Sequence, residues 1–237
     1  MPQCSNRSRI EQNWGQLLCI LKGNDVHTGL AVLETRWWDD GNHSVRGLFE
    51  AVCGITTSNP FSFRYDMFCD DNSLGKVVHP VCRDRNFHTL YLAAHGDDKA
   101  IQGSPGNDIS RTKLRNILRN ENINYTLTGL YFGSCLVCNE ENASFLLDSE
   151  KGVNVNWIAG YSKSVDWVVS SSVDMMFFSF LLEERRKNKS RRKGKKNDRE
   201  ICMESASEMK KIMPTVFNEL GFNIYYLDSG GGFAKIW

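Results

Sequence analysis

The chain of 237 residues lacks long apolar runs and lacks a hydrophobic leader at its N-terminus. Its longest apolar stretch, near residues 175–182, is much shorter than the ~18 residues that cross a bilayer. Met1–Ser5 contains no apolar signal core. We therefore expect an intracellular, cytoplasmic protein with no membrane contact. Its eight cysteines are then expected as free thiols, because disulfides are rare in the cytosol.

Signatures of several ligand-binding and catalytic classes are also missing. Gly230–Gly232 is not followed by the Lys-Ser or Lys-Thr of a phosphate-binding loop. Val137 stands where a hydrolase or amidotransferase elbow around Cys135 requires glycine. Four residues carry zinc-ligating side chains but match no closed-site spacing: Cys69, His79, Cys82 and His88. The sequence thus predicts neither a metal nor an organic cofactor.

The formal net charge of +1 conceals a strong local asymmetry. Residues 183–200 hold ten Lys or Arg against four acidic residues, which leaves 19 basic and 24 acidic residues elsewhere. Arg185–Arg199 contains no apolar residue, so it cannot offset the ~1–2 kcal/mol per residue that backbone ordering costs. We expect a disordered basic loop between two helices. Three interpretations are open: a solvated insertion, a contact with nucleic acid or an acidic partner, and a linker cleaved on activation.

Strand and helix patterns alternate along the chain. Strands are predicted near residues 16–22, 29–38, 61–65, 88–95, 126–133, 153–160 and 223–227. Helices are predicted near 44–53, 110–118, 139–147, 165–184 and 205–220, with Ser44 and Ser110 as N-caps and Pro214 as a break. This alternation favours one α/β domain over 1–237, with a mostly parallel sheet of about six strands and helices on both faces.

Two of the predicted strands end in reactive side chains. Leu90–Ala94 runs into His95 and Gly96, and Leu130–Phe132 runs into Gly133, Ser134 and Cys135. In an α/β sheet, ligands bind in the crevice beyond the carboxyl ends of the strands. A cysteine and a histidine delivered to one such edge are the parts of a nucleophilic cysteine site.

The chemistry expected of this pair is acyl transfer. The imidazole of His95 raises the thiolate population of Cys135 and later protonates the leaving amine. The backbone N–H groups of Gly96 and Cys135 are the expected oxyanion hole. Two alternatives remain open: a buried His and a buried Cys that happen to end two strands, and a redox pair formed by Cys135 and Cys138.

These residues resemble the clan CD cysteine peptidases, which include caspases, metacaspases, gingipains, separase and the bacterial CHAT proteases. That group is marked by an apolar strand ending in His-Gly and a second ending in a small residue plus Cys, as in Leu90–Gly96 and Tyr131–Cys135. The order of strand, turn and acidic residue over 157–167 is similar to CHAT and separase-like members. The caspase signature Gln-Ala-Cys-x-Gly is absent, so the chain looks nearest to a compact CHAT-type protease.

The resemblance implies a caspase-like (caspase-haemoglobinase) three-layer fold and a cysteine endopeptidase that is latent until a regulatory protein activates it. It also implies that Ser134 and Asp166 bind substrate. A carboxylate at Asp166 would favour a basic P1 residue through a bidentate ion pair, although the sequence equally allows Asp166 to cap the next helix. Asp174 is a weaker candidate for the same role.

Other features leave further alternatives open. Asp97 and Asp98 either orient the His95 imidazole or lie in a solvated loop. Trp37 and Trp38 point to opposite sides of a strand, so one belongs to the core and the other to a partner surface. The alternative function is an inactive caspase-like scaffold that binds a partner protein or nucleic acid through the basic loop. A role in bacterial defence follows from the CHAT resemblance alone.

Overall fold

The computed structural model describes residues 29–228 and 230–237, and it forms three layers around one mixed sheet. The strand predicted near residues 16–22, with Cys19, lies outside the described residues. The strands of the main sheet are β1 (Gly29–Glu34), β2 (Phe63–Met67), β3 (Phe87–Ala93), β6 (Gly129–Gly133), β7 (Trp157–Tyr161), β8 (Phe222–Leu227) and β9 (Phe233–Lys235). A separate hairpin is made of β4 (Ala100–Gln102) and β5 (Asp108–Ser110).

The sheet order is β2-β1-β3-β6-β7-β8-β9. The first five of these strands are parallel, and β8 and β9 add to the edge in antiparallel pairs. The prediction of an α/β fold with a mostly parallel sheet is confirmed. The described sheet has seven strands rather than about six, because the short strand β9 carries too little apolar pattern to be seen in the sequence.

Helices cover both faces of the sheet. They are α1 (Arg46–Thr57), α2 (Asp71–Val81), α3 (Arg111–Glu121), α4 (Glu140–Leu146), α5 (Trp167–Ser190), α6 (Asp198–Ile212) and α7 (Pro214–Leu220). One face packs against α2, α3 and α4, and the other against α1, α5, α6 and α7. The alternate side chains of each central strand therefore enter two different cores, which explains why these strands read as continuous apolar runs.

Local capping explains most helix boundaries. Ser110 caps α3 as predicted, its hydroxyl accepting the N–H of Lys113. The first helix starts at Arg46, slightly later than predicted, with Val45 as its N-cap. The Ser44 hydroxyl accepts the N–H of Arg46 at 3.1 Å and donates to the buried carboxylate of Glu34. Pro214 breaks the last predicted helix into α6 and α7, and Gly221 ends α7 in the left-handed conformation.

The expectation of a disordered loop over 185–199 is wrong at both ends. Helix α5 continues to Ser190 and α6 begins at Asp198, which leaves only residues 191–197 irregular. The reason is a buried ion pair that sequence composition does not reveal. Arg185 is 5% exposed, and its guanidinium lies 2.8 Å from a carboxylate oxygen of Asp198. Asp198 also accepts hydrogen bonds from Thr128 and from Trp157, at the N-terminal ends of β6 and β7.

Candidate active site

The two reactive strand ends lie side by side. β3 and β6 are adjacent and parallel, and Ala93 is the register partner of Gly133. His95 and Cys135 each lie two residues beyond that pair, so they leave the sheet at the same level and edge. Both line one cavity of about 70 Å³. The structure thus brings together the two residues that the sequence singled out.

The rest of the cavity wall comes from four segments of the chain. It is lined by Trp37, Val45, Tyr91, Ala93, Ala94, Gly133, Ser134, Val165, Trp167, Ser170 and Ser171. Ser134 is 2% exposed, and its hydroxyl has no hydrogen-bond partner within the described part of the chain. The same holds for the indole Nε1 of Trp167. A mainly apolar wall therefore carries two buried polar groups that are unsatisfied by the protein, as a ligand-binding cavity does.

The backbone after His95 packs directly on the loop that carries Cys135. A Cβ placed on Gly96 would lie 2.3 Å from the Val137 side chain and 3.1 Å from the carbonyl oxygen of Cys135. Only glycine allows this approach without displacing a neighbour. Among the described residues, no group accepts a hydrogen bond from the N–H of Gly96 or of Cys135. Two neighbouring N–H donors are therefore available beside the thiol.

The loop after β7 holds the Cys135 sulfur. The N–H of Val165 donates to Sγ over 3.4 Å, and the thiol donates to the carbonyl oxygen of Val165 over 3.7 Å. The adjacent Leu136 adopts a positive φ of 64° and donates its N–H to the carbonyl oxygen of Lys163. The loop that carries Cys135 is thus fixed to a third strand end, and the thiol donates to a backbone carbonyl oxygen.

His95 is exposed and is held by an aromatic contact. Trp37 lies edge-to-face with the imidazole, with ring centroids 5.7 Å apart. Its indole Nε1 donates to the buried carboxylate of Glu34 over 3.2 Å. That carboxylate also accepts the Tyr65 hydroxyl at 2.6 Å and the Val45 N–H at 2.9 Å. The sequence prediction missed Glu34, although a charged residue that directly ends an apolar strand is a usable signal.

A buried amide joins the two reactive loops. Asn142 is 1% exposed, and its Nδ2 donates to the carbonyl oxygens of Val137 and Asp98 over 2.9 and 3.0 Å. One carbonyl belongs to the loop after Cys135, and the other to the loop after His95. Asn142 therefore sets the spacing of the loops without touching the cavity. Its sequence context, an ordinary polar residue in a helix, carries no sign of this role.

Several predicted residues do not join the site. Asp166 caps α5, accepting the N–H groups of Val168 and Val169 at 2.9 and 3.0 Å, and it does not line the cavity. The capping interpretation is therefore confirmed, and the expected S1 role of Asp166 stays a prediction. Asp97 closes its own turn, and Asp98 is exposed.

The remaining cysteine and metal candidates have other surroundings. Cys138 is 1% exposed and packs in the core on one face of the sheet, where burial raises the pKa of its thiol. In the four-residue zinc candidate, His79 pairs with Glu121 at 2.8 Å, and Cys82 is buried with its thiol pKa raised to about 12. Within residues 29–228 and 230–237, no three His, Cys, Asp or Glu side chains cluster as metal ligands do.

The comparisons with known families and curated proteins found no match for this chain. Among the helices of the described residues, none has the length and apolar character needed to cross a membrane.

Proposed function

We propose that the chain is a cysteine endopeptidase of caspase-like architecture, with Cys135 as nucleophile and His95 as general acid and base. The observation that carries this proposal is that both residues leave adjacent parallel strands at the same level and line one cavity. The carboxyl edge of a parallel sheet is the usual place for a ligand site in α/β folds. No metal or organic cofactor enters the proposed reaction.

In the proposed first step, the imidazole of His95 takes the proton of the Cys135 thiol. The sulfur attacks the carbonyl carbon of the scissile amide and forms a tetrahedral intermediate. The N–H groups of Gly96 and Cys135 donate to the oxyanion as its charge develops. The close contact of the Gly96 backbone with the Cys135 loop supports this pairing.

The second half of the cycle returns the enzyme to its starting state. The imidazolium of His95 protonates the amide nitrogen, the C–N bond breaks, and the amine leaves. The remaining thioester joins the acyl group to Cys135. His95 then takes a proton from a water molecule that attacks the thioester carbon. The C–S bond breaks, the carboxylic acid leaves, and the imidazolium returns its proton to the Cys135 sulfur.

A latent resting state is part of the proposal. The thiol of Cys135 donates to the carbonyl oxygen of Val165 over 3.7 Å, so the S–H bond must rotate away from that carbonyl before His95 can accept the proton. A protein partner that moves the loop after β7 would release the thiol. This contact supports control by a regulatory protein.

We further propose an uncharged P1 side chain. In the described residues that line the cavity, no side chain is a carboxylate, and three are the aromatic rings of Trp37, Tyr91 and Trp167. The buried hydroxyl of Ser134 supplies a hydrogen-bonding group inside that wall. A basic P1 residue would find no carboxylate in the described wall of this cavity.

The test is covalent labelling with peptide acyloxymethylketones that carry Arg, Asn or Leu at P1, followed by peptide mass mapping. We expect one adduct on Cys135, formed faster with Asn or Leu than with Arg. The adduct should disappear in Cys135→Ala and form at least tenfold more slowly in His95→Ala, in line with general-base catalysis worth about 10²–10⁴. Cys69→Ala is the matched control, since Cys69 is an exposed free thiol outside the cavity wall.

The same variants can overturn the assignment without a known substrate. Iodoacetamide should alkylate Cys135 faster in the wild type than in His95→Ala, because the imidazole assists thiolate formation. Equal alkylation rates in the two proteins, or labelling confined to Cys69, would refute the Cys-His site.

A second candidate function is a binding scaffold that uses the basic segment 191–197. Arg192, Lys193 and Lys195 are exposed and form no ion pair within the described part of the chain. The segment is closed by Asn188, whose amide makes two hydrogen bonds to the backbone of Lys196. It therefore presents its cations from a defined loop, which suits nucleic acid or an acidic protein.

Charge reversal tests that second function. Replacing Arg192, Lys193 and Lys195 by Glu should abolish binding to a labelled oligonucleotide, and wild-type affinity should fall steeply between 50 and about 200 mM salt. Binding that survives the triple substitution contradicts a role for the loop. A biological effect that survives Cys135→Ala would favour the scaffold over the protease.

A further inference from the structure

Asp174 is a buried carboxylate that the proposed reaction does not use. It lies on α5 and is 1% exposed. It accepts the hydroxyls of Tyr91 and Tyr161, each at 2.6 Å, and that of Tyr131 in a short hydrogen bond. In the described part of the chain, no cation pairs with it. The charge is therefore balanced by three phenolic donors alone.

The three tyrosines stand on the three strands that build the site. β3, β6 and β7 are consecutive in the sheet. Each tyrosine precedes a group of the site by four residues: Tyr91 precedes His95, Tyr131 precedes Cys135, and Tyr161 precedes Val165. One carboxylate thus joins the strands that deliver the imidazole, the thiol and the backbone contact to the thiol.

The contacts reach the cavity itself. Tyr91 lines the cavity, and a Cβ on Gly133 would lie 2.0 Å from the Tyr91 hydroxyl. The rings of Tyr91 and Tyr131 stack with centroids 5.2 Å apart and planes at 16°. A shift of either phenol would therefore move the backbone that leads into Cys135.

The hydrogen bonds between β3 and β6 do not by themselves hold His95 and Cys135 in place. The last register pair between β3 and β6 is Ala93 with Gly133, and both reactive residues lie beyond it. Hydrogen bonds to an ionised acceptor are roughly twice as strong as those between neutral groups. Three such bonds on one carboxylate give the strand ends a common anchor that neutral contacts would hold less firmly.

We propose that Asp174 is a positioning residue of the site, which holds β3, β6 and β7 so that His95, Cys135 and Val165 line one cavity. This inference rests on the proposed function. It assigns a role to a residue that does not touch the substrate and acts through its three tyrosines.

The test removes the hydrogen bonds to Asp174 one strand at a time. Tyr91→Phe removes the link to the His95 strand, and Tyr131→Phe removes the link to the Cys135 strand. Tyr225→Phe is the matched control, because Tyr225 is a buried tyrosine of the sheet that packs in the opposite core, away from Asp174. Inactivation by the acyloxymethylketone that labels the wild type fastest gives kinact and KI for each protein, and thermal unfolding reports the fold.

We expect kinact to fall about tenfold in Tyr91→Phe and in Tyr131→Phe, with KI within about twofold of the wild type, because a small misplacement slows chemistry more than binding. Tyr225→Phe should keep both constants. Asp174→Leu should lower kinact about 100-fold. Asp174→Asn should recover part of that loss, since an amide oxygen can still accept two of the three hydroxyls.

The results separate a failure of the Asp174 inference from a failure of the proposed function. If the wild type labels at Cys135 and both tyrosine variants keep its kinact, Asp174 is only a core residue and the inference falls while the proposed function stands. If the wild type does not label at Cys135 and His95→Ala leaves alkylation by iodoacetamide unchanged, the proposed function falls, and the positioning role falls with it. A loss confined to melting temperature, with kinact unchanged, also overturns the inference.

Discussion

The indole of Trp37 meets the imidazole of His95 edge-to-face, and its Nε1 is tied to the buried carboxylate of Glu34. Trp37→Ala should therefore slow the labelling of Cys135 about tenfold, because His95 loses the wall that fixes its ring. Glu34→Gln should have a smaller effect in the same direction. Trp237→Ala is the control, since Trp237 packs on Phe217 and does not line the cavity. Equal slowing in the Trp37 and Trp237 variants would contradict a specific contact with His95.

Gly96→Ala should inactivate the protein without unfolding it. The new Cβ would meet the Val137 side chain at 2.3 Å and push the Gly96 N–H away from the Cys135 N–H. Loss of one oxyanion donor costs about 10²–10³ in rate. Gly54→Ala is the paired control: its Cβ enters open space on helix α1, and the change should stabilise the fold by about 0.5–1 kcal/mol. The measurements are labelling rate and thermal unfolding, and a Gly96→Ala protein with full labelling would remove Gly96 from the oxyanion hole.

Asn142→Ala should weaken both the fold and the site. It leaves the carbonyl oxygens of Val137 and Asp98 without their donor, which costs about 1–3 kcal/mol of unfolding free energy. Labelling of Cys135 should slow as the two loops separate. Asn107→Ala removes an exposed amide and should change stability by less than about 0.5 kcal/mol. Chemical denaturation compares the two, and equal stabilities would show that the amide does not hold the loops.

Arg185→Ala should be the most destabilising of these substitutions. It leaves the buried carboxylate of Asp198 without its cation, a change that costs about 3–5 kcal/mol. The neighbouring Arg186 forms an exposed i,i+3 pair with Glu183, so Arg186→Ala should cost at most about 1 kcal/mol. Urea denaturation of both variants checks the contrast. Similar losses would mean that the junction of α5 and α6 is not anchored by the buried pair.

Asp174 gives a pH dependence with a defined sign. Burial raises the pKa of its carboxyl to about 6, while the tyrosine hydrogen bonds oppose that rise. The native state therefore holds a proton that the unfolded state has released, and the contribution to stability falls as pH rises from about 4 to about 6. The difference in unfolding free energy between wild type and Asp174→Asn should shrink by about 2–3 kcal/mol over that range. A difference that stays constant or grows with pH would contradict the raised pKa.

The pattern of apolar strands was enough to predict a mostly parallel sheet and to place His95 and Cys135 at the same edge of it. Leu90–Ala94 and Leu130–Phe132 are apolar enough to identify as buried strands, and parallel order then fixes where His95 and Cys135 emerge. Helix α2 was missed because its residues 71–81 include Gly75 and Pro80, which lower helix propensity. Tertiary packing and the capping box at Asp70 decide that helix instead.

Two of the supporting residues were beyond the reach of sequence patterns. Asn142 and Asp174 contact partners that are distant in the chain, as in the pairing of Asp174 with Tyr91, 83 residues away. Their side chains look like ordinary polar residues until the strands are placed. Asp166 shows the reverse case, because a local cap and a pocket carboxylate have the same sequence context, and only the coordinates separate them.

Tyr91 precedes His95 by four residues, and Tyr131 precedes Cys135 by four, and this spacing matters while the chain folds. Successive side chains of a strand alternate between faces, so a slip of one residue in β3 or β6 would turn its tyrosine away from α5 and its reactive group away from the cavity. The proposed pairing of His95 with Cys135 therefore requires a correctly registered sheet. On the proposed function, a half-folded copy would carry an ordinary thiol with no imidazole beside it.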